Sequence, residues 1–250
     1  AGLHNGTDRI IDMTGENTHI VSAFDQELAK LNDIIIQMGG LAEAQINSSI
    51  HAVIKRDTER AGIVVEDDKK IDQLERELEE LAVKVLALRQ PMASDLRAVV
   101  GALKISSDIE RIGDYAKNIA KRAIALAQVP PVEPLRSVPR MGWLVQQIMK
   151  QTLDDYITRD PAAATAAWQR DAEVDDLYNS LFRELLTYMM EDPRTITACT
   201  HVLFIAKNIE RMGDHATNIC EIVHFMATGK AMPEDRKKTD TTSFTVVDKT

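Results

Sequence analysis

The strongest constraint on the fold of this chain is an internal repeat. Residues 110–114 read Glu-Arg-Ile-Gly-Asp, and residues 210–214 read Glu-Arg-Met-Gly-Asp, one hundred residues later. The flanking positions also match, as Ile105 does with Ile205. A sequence that repeats at a fixed offset is the signature of a repeated structural unit. The two halves of the chain are therefore predicted to share one fold.

Apolar residues in each half follow the spacing of long amphipathic helices. In the first half they recur every three or four residues from Phe24 to Ile54, and the same spacing resumes on both sides of Pro91. Asp57 precedes the second helix and has the chemistry of an N-cap. The second half repeats this order, and no segment shows the alternation of a half-buried strand. The sequence predicts an all-α fold of two tandem three-helix bundles, with six long helices and an internal duplication.

Changes in composition divide the chain into five predicted segments. Residues 1–21 form an N-terminal extension without a clear pattern, which we expect to be flexible. A first three-helix bundle spans 22–128 and a second spans 141–229, with a linker at 129–140 between them. Because the linker is rich in proline, it is predicted to be a non-helical, semi-rigid spacer. Residues 230–250 form a polar C-terminal tail.

Composition limits the possible functions. The formal net charge of −9 argues against nucleic acid as a partner, because phosphate backbones bind basic surfaces. Cys199 and Cys220 fall on one predicted helix about 30 Å apart, too far to pair with each other. They are expected to be buried free thiols, which fits a reducing compartment. No apolar run reaches membrane-spanning length, and no signal peptide is evident.

Each half also carries two matched pairs of acidic residues spaced four apart, while a further pair, Glu75/Glu79, has no counterpart in the second half. Such pairs arise by chance in a chain with 39 acidic residues, and each one destabilises a helix by roughly 0.2–0.5 kcal/mol. Their placement is the informative part, because the pairs of one half match those of the other at offsets of 103 and 100 residues. The matched pairs are Asp68/Asp72 with Asp171/Asp175, and Glu110/Asp114 with Glu210/Asp214.

These eight carboxylates predict metal sites. Adjacent antiparallel helices can bring two pairs together, and carboxylates that close repel one another unless a cation lies between them. Oxygen ligands suit Mg²⁺, Ca²⁺ or Mn²⁺, and iron and zinc also accept carboxylates. His215 could add a nitrogen ligand in the second half only, since Tyr115 stands at the matched position. The alternative is a solvated acidic stripe neutralised by nearby basic residues, namely Arg76, Arg111, Lys117, Lys121 and Arg211.

The sequence resembles the PhoU family, the phosphate-specific transport system accessory proteins of bacteria. The resemblance rests on Arg-Gln-Pro at 89–91, Asp-Leu-Arg at 95–97, and the longer strings at 109–114 and 208–216. It covers residues 22–229, nearly the whole chain. The duplication of the Glu-Arg-x-Gly-Asp motif in a six-helix frame makes the resemblance specific, whereas one copy would be a weak signal.

The resemblance implies a cytoplasmic, non-enzymatic regulator of phosphate uptake. Members of this family connect a phosphate ABC transporter to a sensor histidine kinase and dampen the phosphate-starvation response when phosphate is plentiful. The family also implies homodimers and divalent or trivalent metal ions at the acidic motifs, with Fe, Zn, Mn and Mg as candidates. The expected partners are therefore the kinase, the transporter ATPase and a second copy of the chain, with contact to the membrane only through them.

Two other functions are left open by the sequence. The first is a helical scaffold that binds no metal. The second is a di-metal carboxylate enzyme of the ferritin-like type, which needs a Glu-x-x-His on each of two helices. Glu221 and His224 supply one such pair, but Lys121 and Ile124 stand at the matched positions of the first half. No catalytic nucleophile, Gly-rich phosphate loop or dinucleotide fingerprint is present, so the sequence does not support direct phosphate sensing.

Overall fold

The chain forms helices throughout the part that the structure, a computed structural model, describes. This part comprises residues 13–232 and residue 242, with side chains from residue 23 onward, and it contains no strand. The α-helices are α1 Met13–Lys55, α2 Thr58–Arg89, α3 Ser94–Leu126, α4 Val138–Thr158, α5 Pro161–Gln169, α6 Asp171–Glu191 and α7 Ile196–Thr228. Two 3-10 helices, Glu133–Ser137 and Pro193–Thr195, precede α4 and α7. The predicted all-α class is confirmed.

The six predicted helices are present, with one interruption in the fifth. Arg170 separates α5 from α6, but its φ of −70° and ψ of −18° stay in the helical region. The N–H of Arg170 donates to the carbonyl of Ala167 and the N–H of Glu173 donates to the carbonyl of Arg170, at 3.2 and 3.1 Å. The interruption is therefore one tightened turn within a helical path.

The linker is more helical than its prolines predicted. A 3-10 helix occupies Glu133–Ser137, and α4 already begins at Val138. Pro134 and Pro139 each fall in the first turn of their helices. Proline is tolerated there because the N–H that it lacks would have no partner inside the helix. At the N-terminus, α1 begins at Met13, well before the apolar spacing starts at Phe24. Most of the predicted extension and tail lies outside the described residues.

The repeat is visible in the backbone where the first helix of each half ends. Arg56 and Arg159 occupy matched positions, and both have left-handed φ values, 55° and 56°. The aspartate that follows each arginine caps the next helix. The Asp57 carboxylate accepts from the N–H of Arg60 at 2.9 Å, and the Asp160 carboxylate accepts two N–H groups in the first turn of α5. The same turn chemistry thus starts the second helix of both halves.

The two halves share one buried core instead of meeting only at the linker. Helix α1 packs on α4, and α3 packs along α7. At the α1–α4 crossing, a Cβ on Gly39 would lie 2.6 Å from Cδ1 of Leu153, and a Cβ on Gly142 would lie 2.8 Å from Cγ1 of Ile50. These four residues are matched pairs of the repeat, so the crossing has an approximate twofold relation. Within the described residues, no helix combines the length and the hydropathy needed to cross a bilayer.

We expect Gly39→Leu to weaken the association of the two halves. The added side chain meets Leu153 of α4, and overpacking of this kind costs about 1–3 kcal/mol of unfolding free energy. Gly40→Leu is the matched control, because a Cβ on Gly40 has no atom within 4 Å and the residue is exposed. Urea unfolding followed by circular dichroism measures both variants. Equal stabilities for the two would contradict this account of the crossing.

Candidate functional site

The eight motif carboxylates form one acidic cluster in each half. The first cluster is Asp68 and Asp72 of α2 with Glu110 and Asp114 of α3, and the second is Asp171 and Asp175 of α6 with Glu210 and Asp214 of α7. Half of these side chains are almost fully enclosed. Each of the following is 3% exposed or less: Asp68, Asp171, Asp175 and Glu210. Carboxylates so deeply buried need positive charge or hydrogen-bond donors beside them.

The glycine in each motif makes room for an aspartate of the neighbouring helix. A Cβ on Gly113 would lie 3.4 Å from Oδ1 of Asp68, and a Cβ on Gly213 would overlap Oδ1 of Asp171. Both glycines are therefore points of close helix approach. The approach brings the first acid of each middle helix against the motif helix.

Lys117 lies at the centre of the first cluster. Its Nζ donates hydrogen bonds to Oδ2 of Asp68 and to Oδ1 of Asp114, both at 2.5 Å. Burial would lower the pKa of Lys117, but these two bonds raise it above its ordinary value. Arg111 lies further out, with Nε 3.7 Å from Glu110 and Nη1 3.8 Å from Asp114, and its side chain is 58% exposed. Lys117 is therefore the enclosed cation of this cluster.

Carboxylates of the first cluster repel one another even with Lys117 in place. Burial raises the pKa of Glu110 to about 7, and the charges of Asp114 and Glu75 add to the effect. Burial also raises the pKa of Asp68, despite its bond with Lys117. The pKa of Glu75 is raised by burial and by its neighbours Glu79 and Asp72. Glu75 thus belongs electrostatically to the first cluster, although the sequence offered no repeat partner for it.

A second residue that the sequence analysis missed is Gln45 of α1. Its side chain is buried, and neither atom of its amide has a hydrogen-bond partner among the described residues. Its Oε1 would lie 3.3 Å from a Cβ on Gly113, which places the amide beside the motif. The only sequence signal is a polar residue on the apolar face of the first helix, and Ile148 occupies the matched position.

Lys207 has the corresponding role in the second cluster. Its Nζ lies 3.0 Å from Oε1 of Glu210, and 4.9 Å from the ring centroid of Tyr178. The other oxygen of Glu210, Oε2, is buried and has no hydrogen-bond partner among the described residues. Burial raises the pKa of Glu210, and Lys207 counters that shift in part. Tyr178 stands where the first half has Glu75, so an aromatic face replaces a carboxylate.

Two histidines that could have served as ligands lie elsewhere. His215 Nδ1 is 2.7 Å from Oδ1 of Asp108 on α3, and its ring stacks at 5.6 Å on that of Tyr115. It joins the two halves and does not turn this nitrogen toward Asp214. His224 Nδ1 is 3.2 Å from the carbonyl of Lys230, while Glu221 accepts from Trp168. Glu221 and His224 therefore do not pair as a ferritin-like site requires.

The donor chemistry of the clusters fits a cation, and the cation in place is an ammonium group. Two carboxylates of different helices converge on Lys117 Nζ, as they would on a metal ion. Across the described residues, no three His, Cys, Asp or Glu side chains are grouped so that they could hold a metal ion. The metal at the eight residues stays a prediction.

A further buried carboxylate, Asp155 of α4, lies outside the motifs. It is 5% exposed, and its Oδ2 has no hydrogen-bond partner among the described residues. Burial, together with Asp160 and Asp154, raises its pKa to about 6. Asp155 also adds, with Asp171, to the raised pKa of the buried Cys220 thiol. Both cysteines are buried free thiols, as the sequence predicted.

Comparisons with known proteins identify relatives of the whole chain. The family model described as "PhoU domain" matches residues 35–123 and 138–223. The Phosphate-specific transport system accessory protein PhoU homolog of Caulobacter vibrioides is 53% identical over 226 residues, which cover 90% of this chain and 98% of that protein. Its Zymomonas mobilis counterpart is 50% identical, covering 89% and 94%.

Solved structures of two relatives have the same fold. The crystal structure of PhoU from Pseudomonas aeruginosa superposes with a TM-score of 0.80 at 40% identity, covering 83% of this chain and all of that one. The phosphate transport system regulatory protein PhoU from Streptococcus pneumoniae gives 0.79 at 29% identity, covering 84% of this chain and all of that one.

The pKa of Asp155 makes folding stability depend on pH. Because its pKa rises from 3.8 to about 6 on folding, ionisation favours the unfolded chain, and stability falls as the pH rises between these values. Asp155→Asn removes this penalty, so it is expected to raise the unfolding free energy by about 1–3 kcal/mol at pH 7, at roughly 1.4 kcal/mol per pKa unit. Below pH 3.8 the gain should vanish.

Urea titrations of wild type and Asp155→Asn across this pH range provide the measurement. Asp154→Asn is the control, since it removes a neighbouring but exposed carboxylate. Its stability should stay within about 0.5 kcal/mol of wild type. A gain for Asp155→Asn that is the same at all pH values would contradict the assigned role of ionisation.

Proposed function

The chain belongs to the PhoU family, and from that premise we propose that it is a cytoplasmic accessory protein of a phosphate-specific transport system. The observation that carries the proposal is its 53% identity to an accessory protein of that description, over 98% of the relative's length. A match of this extent includes both halves and both acidic clusters. Like the family's other accessory proteins, it is a regulator and not an enzyme.

In finer terms, the protein couples a phosphate ABC transporter to a sensor histidine kinase. It represses the phosphate-starvation response when phosphate is plentiful. The family resemblance supports this role, and so does the mainly helical surface of the described residues, because helices recognise other proteins through their exposed faces. We also propose a homodimer, for which light scattering should give twice the chain mass of 27.9 kDa; a monomer would contradict it.

Deleting the gene in its own host tests the regulatory role. We expect phosphate-starvation genes to be expressed at high phosphate in the deletion strain, because the repressing link would be lost. A plasmid copy of the gene should restore repression, which excludes effects on neighbouring genes. Normal repression in the deletion strain would refute the proposed function.

The acidic clusters are proposed to bind a metal ion. The support is the convergence of Asp68 and Asp114 on one cation in the first half, the charges of Asp175 and Asp214 near Glu210 in the second, and a buried Glu210 oxygen with no hydrogen-bond partner among the described residues. Hard divalent cations such as Mg²⁺ and Mn²⁺ suit these oxygen donors, and Fe and Zn also accept them. The competing candidate is a metal-free helical scaffold. The position of Lys117 favours it, because an ammonium group already neutralises the first cluster.

Metal analysis of protein purified without chelator separates these two candidates. Bound metal is expected, and its amount should fall when Glu110 and Asp114 are both changed to Ala. Changing Glu66 and Asp67 to Ala is the control, since these two acids lie on α2 but outside the cluster. Metal content that is nil in the wild type, or unchanged in the Glu110/Asp114 variant, would favour the scaffold.

A further inference from the structure

The two halves repeat their acidic residues but not the lysines beside them. Lys117 follows Asp114 by three residues, and the matched position of the second half is Thr217. Lys207 precedes Glu210 by three residues, and the matched position of the first half is Ser107. Each half therefore has one lysine of its motif helix in contact with the acidic cluster, at a different place in the repeat. The positive charge accompanies the cluster and not a fixed position in the repeat.

In the first cluster, Lys117 joins the two helices that carry the acids. Asp68 lies on α2 and Asp114 on α3, and Nζ donates to both at the same distance, 2.5 Å. The Lys117 side chain is 22% exposed, so solvent competes only weakly for its protons. A metal ion that bridges the same two oxygens must take the space of this ammonium group. The two cations are therefore mutually exclusive at this point.

In the second cluster, Lys207 is held from two sides. Its Nζ forms an ion pair with Oε1 of Glu210 at 3.0 Å, and the centroid of the Tyr178 ring lies 4.9 Å from the same nitrogen. An aromatic face attracts a cation through the ring quadrupole. The Lys207 side chain is 30% exposed, and Glu210 is nearly fully enclosed. The ammonium group thus lies between solvent and a buried carboxylate.

We propose that Lys117 and Lys207 are the resident cations of the two clusters, and that a divalent metal ion binds each cluster only in competition with its lysine. The second part of this inference, the competition, rests on the metal binding proposed above. The first part, the role of the two lysines, does not. The lysine is a compact point charge on a flexible stem, so it can leave the cluster without unfolding a helix. Each lysine then sets the metal affinity of its own half.

The test is the binding of Mn²⁺ to metal-stripped full-length protein, measured from the electron paramagnetic resonance signal of free Mn²⁺. We expect Lys117→Gln to bind at least about tenfold more tightly than wild type, because it removes the competing charge at the carboxylates. Adding Asp68→Asn to that variant should abolish the gain. Lys207→Gln should show the same gain, and Glu210→Gln should abolish it.

The matched control is Arg111→Gln, which removes an equal charge from the edge of the same cluster, where Arg111 pairs with Glu110 and Asp114. Its ion pairs are longer, at 3.7 and 3.8 Å, and its side chain is exposed. We expect less than about a threefold change in Mn²⁺ affinity, since exposed ion pairs are weak. An affinity gain in Arg111→Gln equal to that in Lys117→Gln would overturn the proposal, because net charge alone would then explain it. Unchanged affinity in both lysine variants, with Mn²⁺ bound by wild type, would also overturn it.

A second readout separates failure of this proposal from failure of metal binding. If neither wild type nor any variant binds Mn²⁺, the metal part of the proposed function is wrong, and urea unfolding decides the role of the lysines. Lys117→Gln should then lower the unfolding midpoint, and Lys117→Gln with Asp68→Asn should recover part of the loss. A midpoint for Lys117→Gln equal to that of wild type would show that Lys117 is not the resident cation.

Discussion

Burying carboxylates inside a helical bundle demands positive charge beside them, and the rest of this structure depends on how that demand is met. Removing one partner of a buried ion pair typically costs 3–5 kcal/mol, because the other charge is left without compensation. Asp68 and Glu210 are each 3% exposed, and each touches a lysine of its own half. The raised pKa values of both groups show that the compensation is incomplete. The two lysines therefore offset the charge of the buried carboxylates only in part.

The geometry around the clusters explains the Glu-Arg-x-Gly-Asp motif residue by residue. The glycine lets an aspartate of the neighbouring helix approach the motif helix, as Gly213 does for Asp171. In the first half, the final Asp of the motif, Asp114, is linked to Asp68 of the neighbouring helix by Lys117, which contacts both carboxylates. The Arg stays at the surface, where Arg111 contacts both acids of its own motif only at long range. A motif that first looks like an unfavourable pair of charges is therefore one side of a two-helix site.

Much of the fold could be predicted because helix periodicity and the repeat are local properties of the sequence. The break at Arg170 and the helical linker could not, because both depend on tertiary packing and on where a proline falls within a turn. For the site, repetition identified the acids but treated Lys117 as one of several surface cations. Its role depends on a contact between α2 and α3 that no repeat records, since Thr217 occupies the matched position. Gln45 and Glu75 were missed for the same reason.

The central claim is that an ammonium group holds the first cluster together when no metal ion is bound. Nuclear magnetic resonance of the Lys117 side chain in metal-free protein measures this directly. A charged ammonium bonded to Asp68 and Asp114 should exchange its protons slowly and show couplings across the hydrogen bonds to the carboxylate carbons. Saturating Mg²⁺ should release it into the rapid exchange of a surface lysine. Rapid exchange without any metal would contradict the account.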